Sequence, residues 1–94
     1  MKKPKYAHEC IHCIFLGSVK IKSGDYRGKL FDLYYCSGGK SKHQTIIARD
    51  GNKEYEYMSG IEIAKSIIHN NSYNVDEHPL VIAYNIAKSK SFII

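Results

Sequence analysis

Two cysteines separated by two residues, Cys10-Ile11-His12-Cys13, and a third at Cys36 account for every thiol in this chain. Two thiols in one tight turn can share a metal ion, and a third from a neighbouring strand makes three of the four ligands that tetrahedral zinc takes. For Cys36 to be that third ligand, the chain between it and Cys13 must leave and return. The cysteine pattern therefore calls for a hairpin before any other element is read. Thiolate ligands favour zinc among the available metals. The fourth ligand is not set by spacing: His43, in the loop after Cys36, and His8, just before Cys10, both qualify. His12 lies between the paired cysteines and is expected to point away from a metal they share. The plainer alternative is three small buried hydrophobes.

A rival reading makes Cys10 and Cys13 a redox dithiol, because a histidine inside such a motif favours the thiolate. Redox C-x-x-C motifs open a helix, whereas a glycine-broken strand follows here, so the metal reading is preferred. A staple also suits the size of the chain. With 94 residues, 44% of them apolar, it makes one domain that buries roughly 60 to 70% of its unfolded surface. Stability at this length is on the order of 5 to 14 kcal/mol, so a structural zinc worth roughly 10 kcal/mol or more can decide folding. Residues 1–7 read as a flexible basic arm and residues 8–94 as the zinc-stabilised domain.

In residues 18–22 Val19 and Ile21 alternate with Lys20 and Lys22, the pattern of a half-buried strand. Ser23, Gly24, Asp25 and Gly28 supply turn chemistry, and residues 29–36 make the return strand, with Phe31, Leu33 and Tyr35 on one face. An antiparallel return brings Cys36 back to the end where the first strand began. A third strand is expected at residues 45–49, and Asp50-Gly51 signals a hairpin to a short fourth strand at residues 54–57. Ser59 and Glu62 have the spacing of a capping box, with Met58 and Ile63 as a hydrophobic staple. Ile61, Ala64 and Ile68, flanked by Ile63 and Ile67, give the helix that follows an apolar stripe to pack on the sheet. His69, Asn70, Asn71 and Ser72 end it. A second helix opens across residues 76–79, with Pro79 in its first turn. Residues 80–87 are apolar almost all round, so this helix is expected to be the most buried element, while Phe92-Ile93-Ile94 must pack back on the core or form an interface. The expected fold is α+β: an antiparallel sheet of three or four strands followed by two C-terminal helices, with a structural zinc site.

The formal charge is +5, from 14 lysines and arginines against 9 acidic residues, which favours nucleic acid or an acidic protein surface as partner. Lys20, Lys22, Arg27, Lys29, Lys40 and Lys42 are the candidate contacts, and with Tyr26, Tyr34 and Tyr35 they would suit phosphate binding and base stacking along one side of the sheet. The alternative is a solvated face over core tyrosines. Gly38-Gly39-Lys40-Ser41 lacks the first glycine and the following helix of a phosphate-binding loop. No Ser/His/Asp set or carboxylate pair can be proposed from spacing, which argues against an enzyme. Met1-Lys2-Lys3-Pro4-Lys5 leads into a polar stretch rather than a signal-peptide core, and no run is long enough to span a bilayer. A cytoplasmic protein without a membrane partner is expected, and reduced thiols there favour metal over disulfides.

The ordered motifs Cys10-x-x-Cys13-x-Phe15-Leu16-Gly17, Asp32-Leu33-Tyr34-x-Cys36, Ile47-Ala48-Arg49-x-Gly51 and Tyr57-x-Ser59-Gly60 together resemble a family of small uncharacterised phage and bacterial proteins. The resemblance covers the chain from about Cys10 to Gly60. It implies a shared fold with a cysteine-containing site and a viral origin, hence a host-cell cytoplasm. It supplies no activity, substrate or partner. Two further functional readings accompany the basic binding module: an accessory protein that binds and diverts or inhibits a host protein, and a C-x-x-C thiol-redox protein.

Overall fold

The computed structural model describes residues 13–38, 44–51, 57–71 and 73–93. These form β1 (Cys13–Lys20), β2 (Leu30–Cys36), β3 (Thr45–Asp50), β4 (Tyr57–Ser59), α1 (Ile61–Asn70) and α2 (Pro79–Ser89). The strands make one antiparallel sheet in the order β1-β2-β3-β4. The α+β class, the four strands and the two C-terminal helices agree with expectation.

Alternation along β2 and β3 divides the sheet into two faces. Phe31, Leu33 and Tyr35 of β2 join Ile46 and Ala48 of β3 in the core, together with Ile61, Ala64, Leu80, Ala83, Tyr84, Ala87 and Ile93. The second helix supplies more buried residues than any other described element, Pro79, Leu80, Val81, Ala83, Tyr84 and Ala87, but β3, with no exposed residue, is buried over a larger share of its length. The tail returns to the core: Ile93 is buried, and the Phe92 ring stacks on Tyr35 with centroids 5.1 Å apart.

The first strand starts earlier than its lysine alternation indicates, at Cys13, and ends at Lys20. An irregularity between Phe15 and Gly17 lets Leu16 pack against the core. Such a bulge breaks the period of two, which hides the first half of the strand from pattern reading. Ile21 is nevertheless buried. Its N–H donates to the Lys29 carbonyl at 3.0 Å and its own carbonyl accepts from Gly28 N–H at 2.8 Å. Gly28 has φ +87. Two residues opposing one, the first a left-handed glycine, is a G1 bulge.

Three local expectations are corrected. The fourth strand is Tyr57–Ser59, not residues 54–57, of which 54–56 lie outside the described residues. Ser59 does not cap α1: it pairs with Ile47 as the last residue of β4. Gly60 holds the N-cap position at φ 138 without a side-chain hydrogen bond, and its N–H donates to the Ile46 carbonyl at 3.1 Å. The strand ladder claims Ser59 before the helix can, and only glycine readily takes the resulting backbone angle. Finally, α1 packs chiefly on α2 rather than on the sheet, which α2 covers. Only Ile61 and Ala64 of its apolar stripe are buried, while Ile63 and Ile68 are 50% and 43% exposed.

A candidate metal centre and a cationic hairpin end

Register places Cys13 directly opposite Cys36, on the face of the sheet turned away from the helices. Both are of intermediate burial. The backbone N–H of Gly38 donates to Cys36 Sγ at 3.4 Å, the kind of hydrogen bond that supports a metal-bound thiolate. Cys10, His8 and His43 lie outside the described residues. Among the described residues no group of three or more His, Cys, Asp or Glu could hold a metal. What the fold supplies is therefore two thiols on neighbouring strands, on one face, at the end of β1 that follows Cys10 in sequence.

The same face carries a polar array that sequence reading missed. Asp32 of β2 stands opposite both Ser18 of β1 and Arg49 of β3. Ser18 Oγ donates to Asp32 Oδ1 at 2.7 Å and Arg49 Nη1 reaches Asp32 Oδ2 at 3.3 Å. Opposite charges at one register position of neighbouring strands were the available signal. Tyr34 lies on this face beside Phe15, ring centroids 5.4 Å apart. Burial first, then the Asp32 carboxylate, raises the Tyr34 pKa above its ordinary value; Arg49 opposes this and Cys13 adds to it. The Tyr34 phenol thus belongs to the neighbourhood of the thiols.

Lys20, Lys22, Arg27 and Lys29 gather at the opposite end of the first hairpin, all exposed. Two acidic residues nearby, Asp25 and Glu77, are engaged by other groups. Asp25 Oδ2 accepts from the Tyr73 hydroxyl at 2.8 Å and Glu77 Oε2 from Ser23 Oγ at 3.0 Å. These bonds dock the β1–β2 connection onto the α1–α2 connection. Among the described residues none of the four cations joins an ion pair. Lys40 and Lys42 lie outside the described residues.

The stacking surface is corrected. Tyr35 belongs to the core and donates its hydroxyl to Gln44 Oε1 at 2.7 Å. Tyr34 is buried on the opposite face. Tyr26 packs edge-on against Phe31 and His78. The three tyrosines serve packing on different sides and do not form one aromatic platform for the cations. His78 is itself buried between Tyr26 and Tyr73, with centroids 5.2 and 5.0 Å away. Its Nδ1 accepts from Leu80 N–H at 3.1 Å, capping α2.

No protein-family model, no curated protein and no solved structure matches the chain. No helix among the described residues is long and apolar enough to cross a membrane. Fold and site together define a small α+β domain with two facing strand cysteines at one end of its first hairpin and exposed cations at the other.

Proposed function

We propose that the chain is a small zinc-stapled binding module. In this reading Cys10, Cys13 and Cys36 hold zinc with His43 or His8 as fourth ligand, and the cations of the hairpin's other end meet an acidic partner, nucleic acid or a protein surface. The observation that carries it is the placement of Cys13 opposite Cys36, with an amide aimed at the Cys36 sulfur. A metal there ties the segment before β1 to the end of β2 and gives a small domain a stabilising link that its core alone supplies weakly. The zinc is structural: four protein ligands leave no open position for chemistry.

Native mass spectrometry of protein purified without added metal or chelator tests the staple, with one zinc per chain expected. A metal-free protein with reactive thiols would overturn it in favour of the thiol-redox reading. Binding of a single-stranded oligonucleotide, followed as salt rises, tests the cationic end. Affinity that falls steeply with salt, and again when Lys20, Lys22, Arg27 and Lys29 are replaced by glutamine, is expected for phosphate contacts. Binding indifferent to both would remove nucleic acid as the partner.

A further inference from the structure

Among the described residues β1 is an edge of the sheet, with β2 as its neighbour. The ladder shows which of its backbone groups face outward. Ile21 bonds across to Lys29 and Gly28, and the register runs on through Lys20 with Leu30, Val19 with Phe31 and Ser18 with Asp32. In an antiparallel ladder, residues directed at the neighbour alternate with residues directed away. Ile21 and Val19 therefore face β2, and the N–H and C=O groups of Lys20 and Ser18 point out of the sheet. No backbone hydrogen bond of either residue to a loop or turn occurs among the described residues.

Beside this edge lies a groove of about 400 Å³, lined by Val19 of β1 and by Ile82 and Ile86 of α2. Val75, 68% exposed, also lines it. Lys20 and Lys22 line it as well, with Asp76 as the one acidic member. Two cations against one carboxylate, on a chain of net charge +5, select an acidic ligand.

We propose that the outer edge of β1 and the groove between β1 and α2 form a docking site for an extended acidic peptide. The peptide would add as a fifth strand through the backbone of Ser18 and Lys20, seat an apolar side chain on Val19, Ile82 and Ile86, and present carboxylates to Lys20 and Lys22. Strand addition of this kind takes affinity from main-chain hydrogen bonds and specificity from pockets for alternate side chains. The site deepens the binding-module reading by naming the partner class, and it contains no cysteine. Its failure would leave the zinc staple standing, and loss of zinc would not remove it.

The test is an NMR titration of the full-length labelled chain with a short blocked peptide of alternating valine and glutamate. Expected are saturable shifts of the Ser18 and Lys20 amides and of the Ile82 and Ile86 methyls, with slowed exchange of the two amides. The same peptide N-methylated on alternate amides should bind at least about tenfold more weakly, since a strand partner needs those donors. Lys20→Glu combined with Lys22→Glu should weaken binding by a similar factor. Equal binding of the N-methylated peptide, shifts confined to other residues, or no saturation at millimolar peptide would each overturn the proposal. So would a single-stranded oligonucleotide that shifts the same amides and is not displaced by the peptide. The N-methyl comparison leaves the protein unaltered, so it decides even if the double variant folds poorly.

Discussion

Cys13 of β1 faces Cys36 of β2 across the first ladder, on the side of the sheet away from both helices. With zinc held there as proposed, Cys36→Ser is expected to abolish its stoichiometric binding and to lower the melting temperature by about 10 °C or more, given that 1 kcal/mol moves a domain of this size by about 4 to 8 °C. Native mass spectrometry and thermal denaturation of the two proteins check this together. A variant that keeps its zinc and its melting temperature would exclude Cys36 as a ligand.

His78 is expected to make the domain acid-sensitive. Burial lowers its pKa below the ordinary 6.5. The unfolded chain therefore binds a proton more readily than the folded one, and stability rises with pH through that window. The stabilisation is fully present above pH 6.5 and is lost as pH falls below it towards the folded-state value. Protonation of Nδ1 also removes the acceptor for Leu80 N–H. Between neutral pH and about pH 5, the wild-type melting temperature should fall more than that of His78→Asn, whose amide can still cap the helix. Both proteins keep the same cysteines, so the difference isolates His78, and parallel pH profiles would contradict its role.

At the start of α1 the sensitive residue is Gly60. With φ at +138 and an added Cβ only 3.1 Å from Ile63 Cδ1, Gly60→Ala should destabilise by about 1 to 3 kcal/mol. Ser59→Ala removes no cap and should change stability by less than about 0.5 kcal/mol. Urea denaturation of both variants gives the comparison. The reverse order would restore Ser59 as the cap.

The C-terminal tail belongs to the core. Ile93 is 4% exposed, and Ile93→Ala should lower the free energy of unfolding by about 2 to 4 kcal/mol. An unchanged denaturation midpoint would show that the tail packs on nothing that stabilises the fold.

Much of this architecture was legible in local pattern. The period-two alternation of Phe31, Leu33 and Tyr35 located β2, and the unbroken apolar run after Pro79 marked α2. The return of Cys36 to the start of β1 followed from a hairpin between them. Ser59 misled because a capping-box spacing describes a sequence, not the competing ladder that holds the residue. Asp32, Ser18 and Arg49 escaped notice because three polar residues far apart in sequence become a cluster only when two register relations are known.

The sequence by itself determined the class of the fold, the order of strands and helices, and the meeting of Cys13 with Cys36, because periodicity and turn chemistry are local properties of the chain. Only the tertiary structure decided which faces are covered: that α2 takes the sheet and leaves Ile63 and Ile68 of α1 exposed, and that Tyr26 packs against Phe31 and His78. It also decided that Ser18 and Lys20 turn their backbone groups outward beside a groove. The physical reason is that burial and open hydrogen-bonding groups depend on what packs against an element, and that is settled by contacts between residues distant in sequence.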